Sequence, residues 1–344
     1  MTTAPGIDPR RPLVLLDTAP QPVERIFTPG ALDRLRRDFE VRDVSGDPVA
    51  LDELLPEAFA VVGQSDLPAE RLGRAAKLRA IMNVEGNFYP NIDYPTAFAR
   101  GVRVLGCGPA YAQPVAEYAL GLALDLARGI SREDRAFREG RERYLGDGNA
   151  DAVVMRHAEI GLIGYGNLGR ALHTLLRGFS PCIRVFDPWL PEASLRQADV
   201  EPATLEEILA TSQFLFVLAA VTDANRKLLD AERLASIREG ARVVLVSRAA
   251  IVDYDALVRH VEKGQFLAAV DVWPEEPVAE HHPARTTEGF VLSAHRAGGI
   301  PSAFTEIGDM VIDDLTLLAG GLPPVRMQAA APELVGRYRN KPAG

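Results

Sequence analysis

The chain has 344 residues, of which 47% are hydrophobic and 25% charged, and its formal net charge is −9 at pH 7. This length allows two domains that each bury a core, and the composition is that of a soluble globular protein. No basic cluster is interleaved with aromatic residues and no segment reaches the about 18 apolar residues of a membrane-spanning helix, so neither a nucleic acid nor a membrane is expected as a partner.

The N-terminus and the cysteines bear on the compartment. Only a short apolar run precedes Asp17, which predicts a first strand rather than a signal peptide. Cys107 and Cys182 lie far apart without metal-ligand spacing, which indicates two reduced thiols. A cytoplasmic protein without a bound metal is therefore expected.

The first third of the chain alternates short apolar runs with helical stretches. Strands are predicted over 13–17, 40–44, 59–64, 79–84 and 102–107. Helices are predicted over 31–39, 67–76 and 92–101. Strand and helix in turn predict a parallel sheet with helices on both faces.

A longer helical stretch covers 114–140. Pro114 suits a first helical turn, and the stretch is apolar nearly all round before it becomes charged after Gly129. A helix that is apolar on all sides must be buried, here between two domains or two subunits. The segment 145–152 that follows is predicted to be a loop.

The alternation then resumes and is more regular. Six strands are predicted over 159–165, 182–187, 214–220, 241–247, 266–272 and 289–295. Helices are predicted over 168–179 and 204–212, and over 302–319, where two glycines end the helix. Six strands with crossovers form the two halves of a doubly wound fold with strand order 3-2-1-4-5-6.

The sequence GYGNLG, residues 164–169, fits the pattern G-x-G-x-x-G. It directly follows an apolar strand and opens a helix, and Asp187 ends the next strand at close to the expected separation of about 20 residues. Gly164 would allow a tight turn, Gly166 a close approach of the backbone to a pyrophosphate, and Gly169 the packing of helix on strand. Asp187 would accept hydrogen bonds from the ribose hydroxyls and disfavour a 2′-phosphate, so the pattern predicts NAD rather than NADP.

Polar residues stand at the ends of the last three predicted strands. Ser247-Arg248 ends the fourth, Asp271 the fifth, just before Glu275-Glu276, and His295 the sixth. Ligands of such sheets bind beyond the carboxyl ends of the strands. Hydride transfer to a carbonyl needs a proton donor such as an imidazole, a carboxylate fixes its tautomer, and a guanidinium holds a substrate carboxylate. Each residue alone could be structural, but the set together predicts catalysis.

With these motifs the chain resembles the D-isomer-specific 2-hydroxyacid dehydrogenases, which include phosphoglycerate, glycerate and D-lactate dehydrogenases. GLIGYGNLGRAL is similar to the cofactor signature of that family, VLVSRAAIVDYDAL to its arginine motif, AAVDVWPEEP to its acid motif and LSAHRAGG to its histidine motif. The resemblance implies an α/β protein with two doubly wound parallel-sheet domains. A Rossmann NAD domain, 114–300, would be inserted into a flavodoxin-like substrate domain made of 1–113 and 301–344, and an arm over 121–150 would form a homodimer.

The resemblance also implies the roles of individual residues. The catalytic residues would be Arg248, Glu276 and His295. The residues expected to bind NAD are Gly164, Tyr165, Gly166, Asn167, Leu168, Gly169, Asp187, Ala219, Ala220, Ser247, Arg248, Asp271 (at the nicotinamide), His295 and Gly298. The residues expected to contact a 2-hydroxy or 2-keto acid are Val84, Glu85, Gly86, Asn87, Arg248, His295 and Arg296.

The chain departs from the family pattern at several positions. Ala249 follows the arginine where the family usually has glycine, and Ala220 replaces a common proline. The turn NVEGNFYPNID, 83–93, stands where the family has a short glycine turn whose amides bind the substrate carboxylate, and with Glu85 it fits a small acid poorly. Arg296 would hold a second anionic group if it faces the cleft, and would otherwise form a salt bridge.

Two other functions stay open. The same three catalytic residues could act on a phosphite or phosphonate-type anion, which a substrate screen would separate from a 2-hydroxy acid. The chain could also be a non-catalytic NAD sensor or a corepressor-like protein, although the intact set of catalytic residues favours an enzyme.

Overall fold

The structure is a computed structural model that describes residues 10–86, 88–179, 182–222 and 224–335. It divides the chain into two units. The first comprises the chain up to Tyr111 and again from Gly299 onward, and the second runs from Ala112 to Gly298. Within the described residues, no helix is both long and apolar enough to cross a membrane.

The strands and helices are numbered in chain order. The strands are β1 Leu13–Asp17, β2 Glu40–Asp43, β3 Ala58–Gly63, β4 Ala80–Asn83, β5 Arg103–Gly106, β6 Ile160–Ile163, β7 Ile183–Phe186, β8 Glu201–Pro202, β9 Phe214–Val217, β10 Arg242–Leu245, β11 Leu267–Val270, β12 Phe290–Leu292 and β13 Gln328–Ala329. The helices are α1 Val23–Ile26, α2 Pro29–Asp38, α3 Pro48–Leu54, α4 Ala69–Arg74, α5 Tyr94–Ala99, α6 Gly108–Arg128, α7 Ile130–Arg138, α8 Asn167–Leu176, α9 Glu192–Gln197, α10 Leu205–Thr211, α11 Ala231–Ala235, α12 Tyr254–Glu262, α13 Pro301–Ala319 and α14 Pro332–Val335.

The sheet of the first unit has the order β13-β5-β4-β3-β1-β2. Strands β1 to β5 are parallel, and their order 2-1-3-4-5 is that of a flavodoxin-like sheet. Alternate residues of β1 pack into separate cores on the two faces, Val14 and Leu16 on one face and Leu13 and Leu15 on the other. The predicted flavodoxin-like α/β fold is confirmed.

A buried carboxylate fixes the return of the chain to this sheet. Asp314, on α13, is fully buried. Its oxygens accept hydrogen bonds from the backbone N–H groups of Val325 at 2.8 Å, Arg326 at 3.0 Å and Met327 at 2.7 Å. Directly after these residues, β13 pairs antiparallel with β5. The position of the last strand thus depends on one side chain of the preceding helix.

The sheet of the second unit confirms the predicted Rossmann-type fold and corrects its strand order. The order is β12-β11-β10-β9-β6-β7-β8, all parallel. The two-residue strand β8 was not predicted, and it takes the edge position that the predicted order gave to the strand at 214. That strand, β9, pairs with β6 and β10 instead because its four residues are all buried and need neighbours on both sides. The predicted adjacency of β10, β11 and β12 is observed.

The helical stretch predicted over 114–140 is two helices. Helix α6 begins earlier, at Gly108, so that Pro114 lies inside the helix and not in its first turn. Gly129 separates α6 from α7 with a left-handed φ of 64°, a conformation that glycine adopts without strain. The segment predicted as a loop contains one short 3-10 turn, Leu145–Gly148.

Candidate active site

The glycine-rich turn joins β6 to α8. Gly164 has a φ of 100°, and a Cβ atom there would lie 2.8 Å from the backbone of Ala219. A Cβ atom on Gly169 would lie 2.6 Å from the carbonyl oxygen of Gly164. Neither position can hold a larger residue without moving the backbone. These two glycines are therefore required by the packing of the turn itself.

Gly166 differs from the other two glycines. A Cβ atom built on it has no atom of the described residues within 4 Å, so space remains open beside this backbone. Gly166 is also the N-cap of α8 and supplies no side-chain cap. A helix N-terminus with open space in front of it suits a phosphate group, because its N–H groups and the helix dipole favour an anion. These residues fit the pyrophosphate of a dinucleotide.

Asp187 links this turn to the end of β7. Its Oδ2 accepts a hydrogen bond from the N–H of Tyr165 at 2.8 Å, and its Oδ1 accepts one from the N–H of Trp189 at 3.0 Å. A carboxylate has about four lone-pair positions, so acceptor capacity remains for two ribose hydroxyls. Asp187 therefore fits NAD, and its charge opposes a 2′-phosphate.

Tyr165 is buried and directed to the interior of the unit. Its hydroxyl lies 2.8 Å from Nδ1 of the buried His173. Burial raises the pKa of Tyr165. Burial, with Arg177 nearby, lowers the pKa of His173. The backbone N–H of Tyr165 donates to Asp187 and its hydroxyl contacts His173, so both groups are engaged within the protein. The predicted contact of Tyr165 with the cofactor stays a prediction.

The loop after β9 is held by an asparagine. Asn225 donates from Nδ2 to the carbonyl of Ala220 at 2.8 Å, and its Oδ1 accepts from the N–H of Thr222 at 2.7 Å. Buried hydroxyls lie at the ends of two neighbouring strands, Thr222 after β9 and Ser247 after β10, and neither has a hydrogen-bond partner within the described part of the chain. The contacts predicted for Ala219, Ala220 and Ser247 with NAD remain predictions.

His295 and Glu276 form a hydrogen-bonded pair. Nδ1 of His295 lies 2.8 Å from Oε2 of Glu276. Since a carboxylate only accepts, Nδ1 carries the proton in this bond, and Nε2 is left to exchange a proton with a ligand. The two side chains are 40% and 32% exposed, so the pair can reach a ligand. The structure thus brings Glu276 and His295 together, and their predicted role as an acid–base pair stays a prediction.

The backbone of Trp273 holds Glu276, and two aromatic rings pack against the indole of Trp273. The N–H of Trp273 donates to Oε1 of Glu276 at 3.1 Å. The indole of Trp273 packs against the rings of Tyr254 and His282, with centroids 5.5 and 5.4 Å away. Burial, and to a smaller extent the charge of Glu276, raises the pKa of Tyr254, whose hydroxyl donates to the carbonyl of Val272. Both oxygens of Glu276 are thus oriented by fixed partners.

Asp271 has contacts that the sequence did not predict. It is 1% exposed, and its carboxylate accepts hydrogen bonds from the N–H groups of Arg296 at 2.8 Å and Ala297 at 3.0 Å. It also accepts one from the hydroxyl of Ser293 at 2.5 Å. These bonds hold the loop that carries His295. The predicted contact of Asp271 with the nicotinamide stays a prediction.

The two arginines of the predicted site differ in exposure. Arg248 is half-buried at the end of β10, and its Nη1 donates to the carbonyl of Ser247 at 2.7 Å. Arg296 is exposed, and no described residue accepts a hydrogen bond from its guanidinium. The salt bridge considered for Arg296 is therefore absent from the described residues. Gly298 is half-buried directly after this loop.

The turn after β4, which begins at Val84, is held by hydrogen bonds within the first unit. In the amide orientation that satisfies its neighbours, the side-chain oxygen of Gln64 accepts from the N–H groups of Val84 at 3.1 Å and Glu85 at 2.9 Å. These two N–H groups are therefore already engaged by the protein. Gly86 packs so that a Cβ atom would lie 3.2 Å from the ring of Tyr111. Asn87 lies outside the described residues, and substrate contact by this turn stays a prediction.

Comparison with known proteins identifies the family. Residues 120–297 match the model for "D-isomer specific 2-hydroxyacid dehydrogenase, NAD binding domain". A solved structure described as a phosphoglycerate oxidoreductase from Rhizobium etli is 46% identical, covers 93% of this chain and 99% of its own, and has a TM-score of 0.86. The predicted cofactor, NAD, is confirmed by the family model.

Curated relatives are more distant. The D-3-phosphoglycerate dehydrogenase of Archaeoglobus fulgidus is 27% identical over 85% of this chain, and the chain spans only 56% of its length. The glyoxylate reductase of Thermofilum pendens is 27% identical over 88% of this chain and 92% of its own. By the family model and by its likeness to the Rhizobium structure, the chain belongs to the D-isomer specific 2-hydroxyacid dehydrogenase family.

Proposed function

We propose that this chain is an NAD-dependent oxidoreductase that interconverts a D-2-hydroxy acid and a 2-keto acid. The observation that carries this proposal is the hydrogen bond between His295 and Glu276. The strands that precede these two residues belong to the same sheet as β6, whose glycine turn fits a dinucleotide. In this assignment the second unit binds NAD, and the first unit contributes to substrate binding.

His295 is the proposed acid and base. When bound, NAD supplies the acceptor for a hydride from C2 of the hydroxy acid. In this direction Nε2 of His295 takes the proton of the substrate hydroxyl, and in the reverse direction it returns a proton to the carbonyl oxygen. Glu276 keeps the proton of Nδ1 in place and so fixes the tautomer in which Nε2 can accept the substrate proton.

Arg248 is the proposed anchor for the substrate carboxylate. A guanidinium forms two parallel hydrogen bonds with a carboxylate and so orients the adjacent carbon atom. Arg248 lies after β10 and His295 lies after β12, and a single strand, β11, separates β10 from β12 in the sheet. This order of strands supports a common site for the two residues.

A substrate panel tests the proposed activity. Purified protein is mixed with NADH and a series of 2-keto acids, and absorbance reports NADH oxidation; D- and L-hydroxy acids with NAD test the reverse direction and its stereochemistry. We expect turnover with at least one 2-keto acid and with the D-isomers only. No turnover across the panel, in a protein that binds NADH, would contradict the proposal and favour an NAD sensor.

Arg296 favours a second anionic group on the substrate. Its guanidinium is exposed next to His295 and has no acceptor among the described residues. The panel therefore includes phosphorylated and phosphonate-bearing keto acids, as well as phosphite. A higher kcat/KM for the doubly anionic acids in the wild-type protein than in Arg296→Gln supports this role, and turnover of phosphite alone would indicate the other reaction.

We also propose a homodimer. In the predicted arm, apolar side chains are exposed on the single chain, with Ile130 59%, Phe137 63%, Tyr144 71% and Leu145 87% exposed. Exposed apolar groups so close in sequence indicate an interface. We expect light scattering to give the mass of two chains, and Phe137→Glu with Leu145→Glu to give one; a monomeric wild-type protein would contradict the proposal.

A cytoplasmic location is proposed from the cysteines. Cys107 and Cys182 form no disulfide with each other, which is typical of a protein in a reducing compartment. Fractionation of cells that produce the full-length protein checks this location.

A further inference from the structure

We propose that Ser293 and Tyr118 are positioning residues that hold His295 and Glu276 in register for proton transfer. The proposal rests on the proposed function and deepens it. Ser293 lies in the LSAHRAGG motif but was given no role there, and Tyr118 lies outside the motifs that predicted the site. Both lie in the second unit, Tyr118 on α6 and Ser293 directly after β12.

The side chains of Tyr118, Ser293 and Asp271 form a chain of hydrogen bonds in which each donor is defined. The hydroxyl of Ser293 lies 2.5 Å from Oδ1 of Asp271 and 2.7 Å from the hydroxyl of Tyr118. Because a carboxylate accepts only, the single proton of Ser293 points to Asp271. The hydroxyl of Tyr118 is therefore the donor to Ser293. Bonds in such a chain polarise and strengthen one another.

The carboxylate at the end of this chain holds the histidine loop. Asp271 accepts from the N–H groups of Arg296 and Ala297, and its backbone carbonyl accepts from the N–H of His295 at 2.7 Å. His295 has a φ of 53°, a left-handed conformation that is unfavourable for a residue with a side chain. Such a conformation persists only where the surroundings fix it. Here Ser293, two residues before His295, and Arg296 and Ala297, which follow it, all donate hydrogen bonds to the carboxylate of Asp271.

Ser293 also connects to the glutamate. Its carbonyl oxygen accepts a hydrogen bond from Nε1 of Trp273 at 2.7 Å, and the N–H of Trp273 donates to Glu276. Ser293 therefore contacts both Asp271, which holds the loop of His295, and Trp273, which holds Glu276. Ser293 and its donor Tyr118 touch neither reacting group, so their role is one of position.

The test compares Ser293→Ala with Ser293→Thr, which keeps the hydroxyl. Since a hydrogen bond to a charged group contributes about 1.5 to 3 kcal/mol, we expect kcat of Ser293→Ala to fall about tenfold or more, with KM and the Kd of NADH within about twofold of wild type. Ser293→Thr should recover most of kcat. Tyr118→Phe, which keeps the bond between Ser293 and Asp271, should lose only about threefold. Ser236→Ala is the matched control, because the exposed hydroxyl of Ser236 donates to the carbonyl of Arg233 in the adjacent helix α11.

A second readout does not depend on turnover. The chain has six histidines, and 15N NMR of labelled histidine resolves the His295 ring once His295→Gln has identified its signals. We expect Ser293→Ala to shift the Nδ1 signal of His295 and Ser293→Thr to restore it. If Ser293→Ala does not fold, the same comparison is made between the wild type, Tyr118→Phe and Ser293→Thr.

The outcomes separate the two proposals. If the wild type turns over 2-keto acids and Ser293→Ala equals it in kcat and in the His295 signals, the positioning role is wrong. A fall in NADH affinity alone, or a Ser293→Thr variant as slow as Ser293→Ala, also overturns it. If the wild type turns over nothing, the proposed function fails and the NMR comparison alone decides whether Ser293 positions His295.

Discussion

The turn after β6 and the turn after β4 each follow a fully buried strand of a parallel sheet, yet they differ in what they offer a ligand. After β6, Gly166 leaves open space in front of a helix N-terminus without a side-chain cap. After β4, the N–H groups of Val84 and Glu85 already donate to Gln64. A strand-to-turn connection is therefore not a binding site in itself. What decides is whether the protein has already used the hydrogen-bond donors of the turn.

The largest effect is expected on kcat, from the removal of His295 in the second unit, which also contains the glycine turn with open space. His295→Gln removes the acid and base, and since such a group contributes about 10²- to 10⁴-fold, kcat should fall by that factor. Because the glycine turn is untouched, the Kd of NADH, measured by fluorescence, should not change. His281→Gln, at an exposed loop position, is the control. A variant at His295 with wild-type turnover would remove this residue from the mechanism.

Two glycines of the same turn separate packing from binding. In Gly164→Ala the new Cβ meets the backbone of Ala219 and the φ of 100° is unfavourable, so we expect a loss of stability of more than about 1 kcal/mol in thermal unfolding. Gly166→Ala meets no described atom within 4 Å, so it should unfold like the wild type but bind NADH about tenfold more weakly, because the Cβ fills the space for the phosphates. Equal effects of both variants on stability and on binding would contradict this division.

The turn after β4 is tested through Gln64. Gln64→Leu leaves the N–H groups of Val84 and Glu85 without their acceptor, which should lower the free energy of unfolding by about 1–3 kcal/mol. Urea unfolding measures this loss, with the exposed Gln197→Leu as the control. Wild-type stability of Gln64→Leu would mean that the turn has donors to spare for a substrate carboxylate, and the contrast between the two turns would disappear.

The smallest effect concerns the pH response of the glycine turn. Burial lowers the pKa of His173 below its usual 6.5, so the folded protein binds fewer protons than the unfolded chain. Stability is then fully present above about pH 6.5 and is lost as the pH falls toward the lower folded pKa. We expect the wild type to lose more stability than His173→Gln between about pH 7.5 and about pH 5.5. A parallel loss in both proteins would assign the pH response to other groups.

The sequence predicted well what local patterns encode. Apolar runs predicted eleven of the strands, among them β6, β11 and β12, after which Gly166, Glu276 and His295 lie. It missed β8 and β13, because strands of two residues form no detectable pattern, and without β8 the strand order of the second sheet was wrong. It also missed the bond between Tyr118 and Ser293, which joins residues 175 positions apart. Contacts over such distances arise from the packing of the fold and leave no periodic signal.

Asp314 bears on how one edge of the sheet of the first unit is covered. By binding three consecutive N–H groups it directs β13 onto the outer side of β5. An uncovered edge strand presents unpaired backbone groups to which a strand of another molecule can add. Part of the edge of β5 is instead occupied by the chain's own return, held there by a carboxylate with no exposed surface. The protection of this edge against pairing with a foreign strand thus rests on a carboxylate that no solvent reaches.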